Sequence, residues 1–515
     1  MSVAGYDSEV YVTDDCISSI PLAGQLGPII VSASALSSAP LDSSLNRTGQ
    51  WTGSITNTPV AINSDDRGSR RDIVTTVNRS ESQLEFLREF PKTGPGTKAG
   101  NMLRQYWHPL CLSGDLKDIP YAVRMLGEDL VAFRSGDGTI GLIGAVCPHR
   151  CASLEYGQVR QCGLQCSYHG WTFDNRGRCI DMPLEPVDSP LLNEVQHIWY
   201  AAEEWAGVIW CYMGPDKADP PPLPKIDIMA RTDGELVLSR GDFRDYTYLN
   251  FMENFADIGH SYVLHMLEPG TVPEEVKPWC DMTVDTEWRN SKFRVFETDF
   301  GMKSVVVHNT ADPDVKFVNS WSFAFPTHFR FGGILAGLPP DFTNDRREGG
   351  GMLRIIDDTH SEIFRYTLIR PGNFRSNFFP RQSNIARGLD DGIRGTVEKK
   401  DYDNRKYPAW EGVPPVEDLV IQESQGAIPP YKGEHLASSD AGIALYRRLF
   451  RKSMEDVAAG GKAKPALTNK DGIIEVDTFK GLVKTGDIVL GPKNMPSSED
   501  GRGLIRDADG NLVFA

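Results

Sequence analysis

Cys147-Pro148-His149-Arg150-Cys151, followed by Cys166-Ser167-Tyr168-His169-Gly170-Trp171, is the stretch on which the reading of this chain turns. Reduced to metal-binding side chains it is Cys-x-His, sixteen intervening residues, then Cys-x-x-His. Each half supplies one thiolate and one imidazole. A tetrahedral zinc site more often takes its like ligands in pairs, two cysteines and then two histidines. Two loops that each carry one Cys and one His suit a two-iron, two-sulfide cluster, with both sulfurs on one iron and both imidazoles on the other. Neutral histidines in place of two anionic thiolates reduce the negative charge at the cluster, so an added electron is better tolerated.

The segment resembles the Rieske signature of ring-hydroxylating oxygenase large subunits. The resemblance implies that Cys147, His149, Cys166 and His169 hold a [2Fe-2S] cluster. Respiratory-chain Rieske proteins brace their loops with a disulfide, and one of its cysteines lies between the second Cys ligand and the second His. That gap here holds Ser167 and Tyr168. Cys151 and Cys162 are therefore expected as free thiols beside the cluster, and the centre as the lower-potential, oxygenase type.

Short strands surround the motif. Residues 130–133, a Gly136-Asp137-Gly138 turn and residues 139–146 predict a hairpin that delivers Cys147 and His149 at its end. A second hairpin, 171–173 and 178–181, follows the second ligand pair, and 208–213 reads as a closing strand. Pro215 and the Pro220-Pro221-Pro222 run mark a stiff linker. Upstream, Leu84, Phe86, Leu87 and Phe90 have helical spacing that ends at Pro91. Residues 1–85 form a Ser-, Thr-, Gly- and Asn-rich extension of low order up to that helix. The expected organisation is thus an extension over 1–85, a Rieske domain over 86–218, a catalytic domain over 219–458 and a tail over 459–515.

A second constellation, Asn254-x-x-Asp257-x-x-His260-x-x-x-x-His265, falls in a helical stretch over 249–266. Two imidazoles near a carboxylate suit the 2-His-1-carboxylate face, which leaves open positions on an octahedral iron for oxygen. Five residues at about 100° each put His260 and His265 roughly 140° apart on an ideal helix. The helix must therefore kink, bulge or break near Gly259 for both to reach one metal. The motif resembles the mononuclear-iron motif of the same oxygenases. That implies His260 and His265 as Fe(II) ligands and Asp257 as an acid bridging a ligand histidine on each metal. Chemistry alone leaves Asp401, Asp403, Glu411, Glu417, Asp418 and Glu423 open as the third ligand. Residues 417–426 with 434–440 resemble the closing segment of the phthalate-type branch, which implies Asp418 and leaves His435 structural.

Residues 285–370 alternate apolar and polar side chains, predicting a large antiparallel sheet. Phe323, Phe325 and His328 are candidates for its pocket or its core, and Arg330 for a substrate anion or a surface acid. Ser439 is the expected cap of a helix running to about Gly460. The fold class is α+β: a small antiparallel β Rieske domain, then a catalytic domain whose large antiparallel sheet is covered by helices in a helix-grip arrangement. The net charge of −16, from 54 basic and 70 acidic residues, disfavours nucleic acid and anionic membrane surfaces as partners. No apolar run is long enough to span a bilayer, and no leader pattern is read. Nine cysteines, an odd number, suit a reducing compartment, and cytoplasm is expected.

The resemblance implies an oxygenase component that uses O2 to hydroxylate, cis-dihydroxylate or oxidatively demethylate a small, aromatic substrate. Electrons would come from a separate NAD(P)H reductase with flavin and iron–sulfur centres, or from a ferredoxin. A homotrimer or dimer of trimers is implied, in which His169 of one subunit serves Asp257 of its neighbour. Two other readings are a Rieske electron-transfer protein without oxygenase activity and a redox-inert zinc scaffold. The first leaves Asp257, His260, His265 and Asp418 without a role; the second predicts a colourless protein.

Overall fold

The Gly136-Asp137-Gly138 turn forms where the sequence places it. Gly138 has a φ of 89°, and its N–H donates to the Ser135 carbonyl at 2.8 Å. A left-handed residue at a hairpin tip is one that glycine adopts without steric cost. The computed structural model describes residues 80–260, 264, 292–309, 312–332, 334–336, 348–369, 414–465, 468–476, 478–485, 488–490, 504–506 and 512–514.

Two helices lead in, α1 (Glu81–Glu89) and α2 (Lys98–Leu103). Ser80 and Gln83 close a reciprocal capping box at the start of α1. Four strands come next, β1 (Trp107–Leu112), β2 (Tyr121–Met125), β3 (Glu128–Arg134) and β4 (Ile140–Gly144). A ligand-bearing insert of four short strands follows: β5 (Gln158–Arg160), β6 (Gly163–Gln165), β7 (Thr172–Phe173) and β8 (Cys179–Asp181). The short helix α3 (Leu191–Glu194) then leads to β9 (Trp199–Trp205) and β10 (Val208–Tyr212). The six longer strands make an antiparallel sheet in the order β1-β10-β9-β4-β3-β2, and the insert makes its own sheet, β5-β6-β7-β8. Phe133, Leu154, Leu164 and Phe173 are fully buried between them and close a small core together with Cys147 and Cys166.

The catalytic sheet is built from β12 (Glu235–Arg244), β13 (Lys292–Glu297), β14 (Gly301–Asn309), β15 (Val315–Ala324), β16 (His328–Gly332), β18 (Glu348–Asp357) and β19 (His360–Ile369). Its order is β12-β19-β18-β16-β15-β14-β13, with every neighbouring pair antiparallel. Two faces follow from the alternation of side chains along each strand. Phe323 on β15 pairs in register with Phe329 on β16, and both face the helices. Ala324 and His328, also a pair, face the other side. Helices α4 (Tyr248–Ala256) and α6 (Ala441–Ala458) cover the first face, and α5 (Pro414–Ser424) packs on α4 through the fully buried Leu419. The α6 cap is Asp440 rather than Ser439.

The chain beyond the proline run is not packed apart from what precedes it, because one buried core runs from Phe90, Leu110 and Leu130 into Leu249, Phe329 and Leu445. Backbone bonds stitch the seam: Leu126 and Gly127 N–H donate to the Ile355 and Ile356 carbonyls at 2.9 and 2.8 Å. Nor are residues 459–515 only a tail. β20 (Ile473–Ile474) pairs with β11 (Lys225–Ile226), and β21 (Phe479–Lys484) lies between β15 and β17 (Ile334–Ala336). Sequence periodicity reports that a segment is strand-like but not which distant strand it joins. Among the described residues no helix is long and apolar enough to cross a membrane.

Candidate functional site

The two ligand loops are conformational twins. In the first, Cys147 N–H donates to Ala152 O at 2.9 Å and Cys151 N–H to Cys147 O at 3.0 Å. In the second, Cys166 N–H donates to Trp171 O at 2.8 Å and Gly170 N–H to Cys166 O at 3.0 Å. The same two bonds recur at the same spacing. Each loop therefore presents its cysteine at the base and its histidine at the tip. Gly170 has a φ of 78°, and Cys151, at the equivalent place, is also left-handed at 58°.

The cysteines are buried and their thiols are in contact; burial pushes Cys147 up to about 11. A buried thiol pair of that kind is protonated unless a cation replaces the protons. The His149 and His169 rings lie 4.6 Å apart between centroids. Trp171 stacks on His149 at 4.4 Å and 5°, and Tyr168 lies 3.8 Å from His169, so neighbouring rings restrict both imidazoles. Desolvation first, then His149 and Arg150, hold His169 below its ordinary pKa and so neutral, as a metal ligand must be. Among the described residues no three His, Cys, Asp or Glu converge on one point. A pair of thiols beside a pair of imidazoles is instead the donor set a two-iron cluster takes, one pair to each iron. The residues fit the group.

Cys151 is a free, exposed thiol, as expected. Cys162 is not: it is disulfide-bonded.

The second constellation sits where α4 ends. The helix stops at Ala256, three residues before Gly259, because the Asp257 carboxylate accepts from Gly259 N–H at 2.9 Å in place of a continued helical turn. His260 Nδ1 donates to the Asp257 carbonyl, which directs Nε2 outward. His260 Nε2 stands 3.4 Å from Asp418 Oδ1. Asn254 Nδ2 lies 3.5 Å from the same oxygen, and the Asp257 carboxylate is 3.8 Å from His260 Nδ1. Burial raises the Asp257 pKa. An imidazole nitrogen facing a carboxylate across hydrogen-bond distance fits a mononuclear metal with a third ligand to come. His265, expected to supply it, lies outside the described residues.

Other candidates fall elsewhere. Phe323 and Phe325 are buried in the main core, and His328 is buried on the far face against Tyr366, its Nε2 2.6 Å from the phenol oxygen. Arg330 is buried and pairs with Asp227 on that same face. His435 is exposed. Trp321, 5.9 Å from the His260 ring, and Phe255, 4.7 Å from Trp321, carry the half-buried aromatic surface beside the site. Alternation along 320–325 put Trp321 on one face with Phe323, but no local pattern ties that face to His260.

Residues 106–194 match the family described as Rieske [2Fe-2S] domain. Over 449 residues the chain is 31% identical to the tert-butanol monooxygenase / tert-amyl alcohol desaturase oxygenase subunit of Aquincola tertiaricarbonis, covering 85% of this chain and 89% of that one. It is 31% identical over 388 residues to the phenoxybenzoate dioxygenase subunit alpha of Ectopseudomonas oleovorans, covering 71% and 84%. Among solved structures, the Pseudomonas putida CBB5 NdmA QL mutant with caffeine superposes with a TM-score of 0.52 at 20% identity, over 71% of this chain and 94% of that one, a likeness of fold. A [2Fe-2S] cluster and a mononuclear iron are the cofactors of this family, and a reductase or ferredoxin, O2 and a small substrate are what its oxygenase subunits work with. The chain belongs to the Rieske non-heme iron oxygenases, as an oxygenase subunit of the phthalate dioxygenase-like type.

Proposed function

We propose that Cys147, His149, Cys166 and His169 hold the cluster, that His260, His265 and Asp418 hold Fe(II), and that Asp257 orients His260. The observation that carries this is the 3.4 Å approach of Asp418 Oδ1 to His260 Nε2, across 158 positions of sequence and apart from the paired thiols and imidazoles. When bound, the iron activates O2 and the cluster delivers single electrons to it. The chain's own part is to fix geometry. The Asp257 carbonyl holds the His260 tautomer, and Asn254 holds one carboxylate oxygen of Asp418.

The substrate is small and apolar, and aromatic by preference. Trp321 and Phe255 give it a flat hydrophobic wall next to His260, and Arg330, turned to the far face, does not serve a substrate carboxylate. The relatives act, by name, on tertiary alcohols and phenoxybenzoate, so tertiary alcohols and aryl ethers belong in the substrate panel beside aromatic acids and N-methylated bases. The reductase is a separate NAD(P)H-oxidising flavoprotein. The functional assembly is a trimer of this chain: the His149–Tyr168 end of the cluster domain is exposed, so a second copy can reach it.

The test is metal analysis with product analysis. The full chain should hold three irons and two acid-labile sulfides, and His260→Ala or Asp418→Ala should lose one iron and all product while keeping the visible absorption of the cluster. Full turnover by Asp418→Ala with iron bound would return the third ligand to the neighbouring acids.

A further inference from the structure

We propose that Asn250, acting with Gln422, sets the height of α5 against α4 and thereby fixes where the Asp418 carboxylate stands opposite His260. The proposal rests on the reading of Asp418 as an iron ligand. Helix α5 carries that residue but is far in sequence from the helix that carries the rest of the site, so its register has to be fixed through space. A cluster of fixing bonds lies at its C-terminal end. Asn250 Nδ2 donates to the Gln422 carbonyl at 3.1 Å and to the Gly426 carbonyl at 3.2 Å. These belong to the last turn of a helix and the residues after it, where carbonyls lack helical partners. Tyr246 O–H donates to Gln422 Oε1, and Thr247 N–H donates to Ala427 O at 2.8 Å.

The spacing turns this anchor into a positioning device. Asn254 is four residues beyond Asn250 on α4, and Asp418 is four residues before Gln422 on α5. Residues four apart lie on one face of a helix, one turn removed. The two helices therefore meet in two antiparallel rungs, Asn250 with Gln422 and Asn254 with Asp418. The first rung is buried; the second forms one edge of the proposed metal site. Helix α4 is a fixed reference for both, because its α6-facing side is held by the buried Arg447 of α6, which forms bonds of 2.6 and 2.7 Å to the two oxygens of Glu253. Loss of the first rung frees α5 to slide or tilt and moves the carboxylate.

The experiment uses the full chain with its cluster intact and its mononuclear iron removed. Fe(II) is titrated back without oxygen, and nitric oxide is added as a spectroscopic probe of the site. Asn250→Ala should weaken Fe(II) binding about tenfold or more, the range seen when supporting bonds to metal ligands are cut. It should also change the paramagnetic signal of the nitric oxide adduct, with cluster absorption unchanged. Tyr246→Phe, which removes only the hydroxyl that bonds Gln422, should act in the same direction and decides the matter alone if Asn250→Ala does not fold. Wild-type Fe(II) affinity with a wild-type signal in the folded variants overturns the proposal. Asp418→Ala separates the two ideas: wild-type affinity there defeats the ligand assignment, whereas weakened binding there with unaffected Asn250 and Tyr246 variants defeats only the ladder.

Discussion

Cys151 occupies a position that its own twin shows to be suited to glycine. In the second loop the residue closing the turn onto Cys166 is Gly170; in the first it is Cys151, with a side chain and a φ of 58°. A left-handed conformation costs a residue with a Cβ roughly 1–2 kcal/mol, part of which glycine gives back through its greater freedom when unfolded. The Cys151 side chain is exposed and free, so its removal sacrifices little packing. Cys151→Gly should raise stability by about 0.5–1 kcal/mol with iron and sulfide content unchanged, read by thermal unfolding of the reconstituted protein. An unchanged or lower midpoint would mean the first loop carries no strain. The proposed cluster donors were legible in the sequence because each Cys and His pair lies within four residues, and the resemblance to the Rieske signature rests on that local spacing. The strain was not, since nothing local says that Cys151 must turn left-handed until the bond back to Cys147 is seen.

Element boundaries were legible only where their cause is local. The Gly136–Gly138 turn was readable, and so was the need to interrupt the helical stretch if His260 and His265 are to serve one metal. The break falls at Asp257, two residues before Gly259, because a side-chain acceptor there competes with the helix. What holds the broken end was not readable. Gly442, in the first turn of α6, lies so close that a Cβ there would come within 2.1 Å of the Ala256 carbonyl oxygen. Ser304 Oγ donates to the same oxygen at 3.4 Å. That carbonyl immediately precedes Asp257, so a methyl at 442 pushes backbone rather than a flexible side chain. Gly442→Ala should destabilise the protein by about 1–3 kcal/mol, the usual cost of overpacking. It should also lower occupancy of the mononuclear iron while the cluster, in a separate core, stays full. Denaturant unfolding and iron-to-sulfide ratio measure the two effects, and a variant with normal values for both would show that α6 can retreat.

Among the described residues, the two larger sheets share two buried cores, and the polar groups trapped in and around them make stability respond to acid. His108 is fully buried on β1, with Nε2 donating to the Leu103 carbonyl at 2.8 Å, and burial holds its pKa down at about 4. His328 is buried under Tyr366, and burial, with Arg330 adding to it, holds its pKa down at about 3. Both are neutral in the folded chain and have an ordinary value near 6.5 when it unfolds. Above that value neither state takes the proton, so neither histidine makes stability depend on pH. As the pH falls below it, the unfolded chain binds protons that the folded chain refuses, and stability declines by up to about 1.4 kcal/mol per pH unit for each histidine. The decline from each continues until its folded value is reached. Unfolding followed from pH 7.5 to pH 5 should therefore show a fall that His108→Gln and His328→Gln each make shallower, since glutamine keeps an amide donor and does not titrate. The readout is the difference in slope between each variant and the wild type, which cancels the effect of acid on the metal centres. Equal slopes in all three proteins would place the acid sensitivity in other groups, and would mean that the buried imidazoles reach water before the chain unfolds.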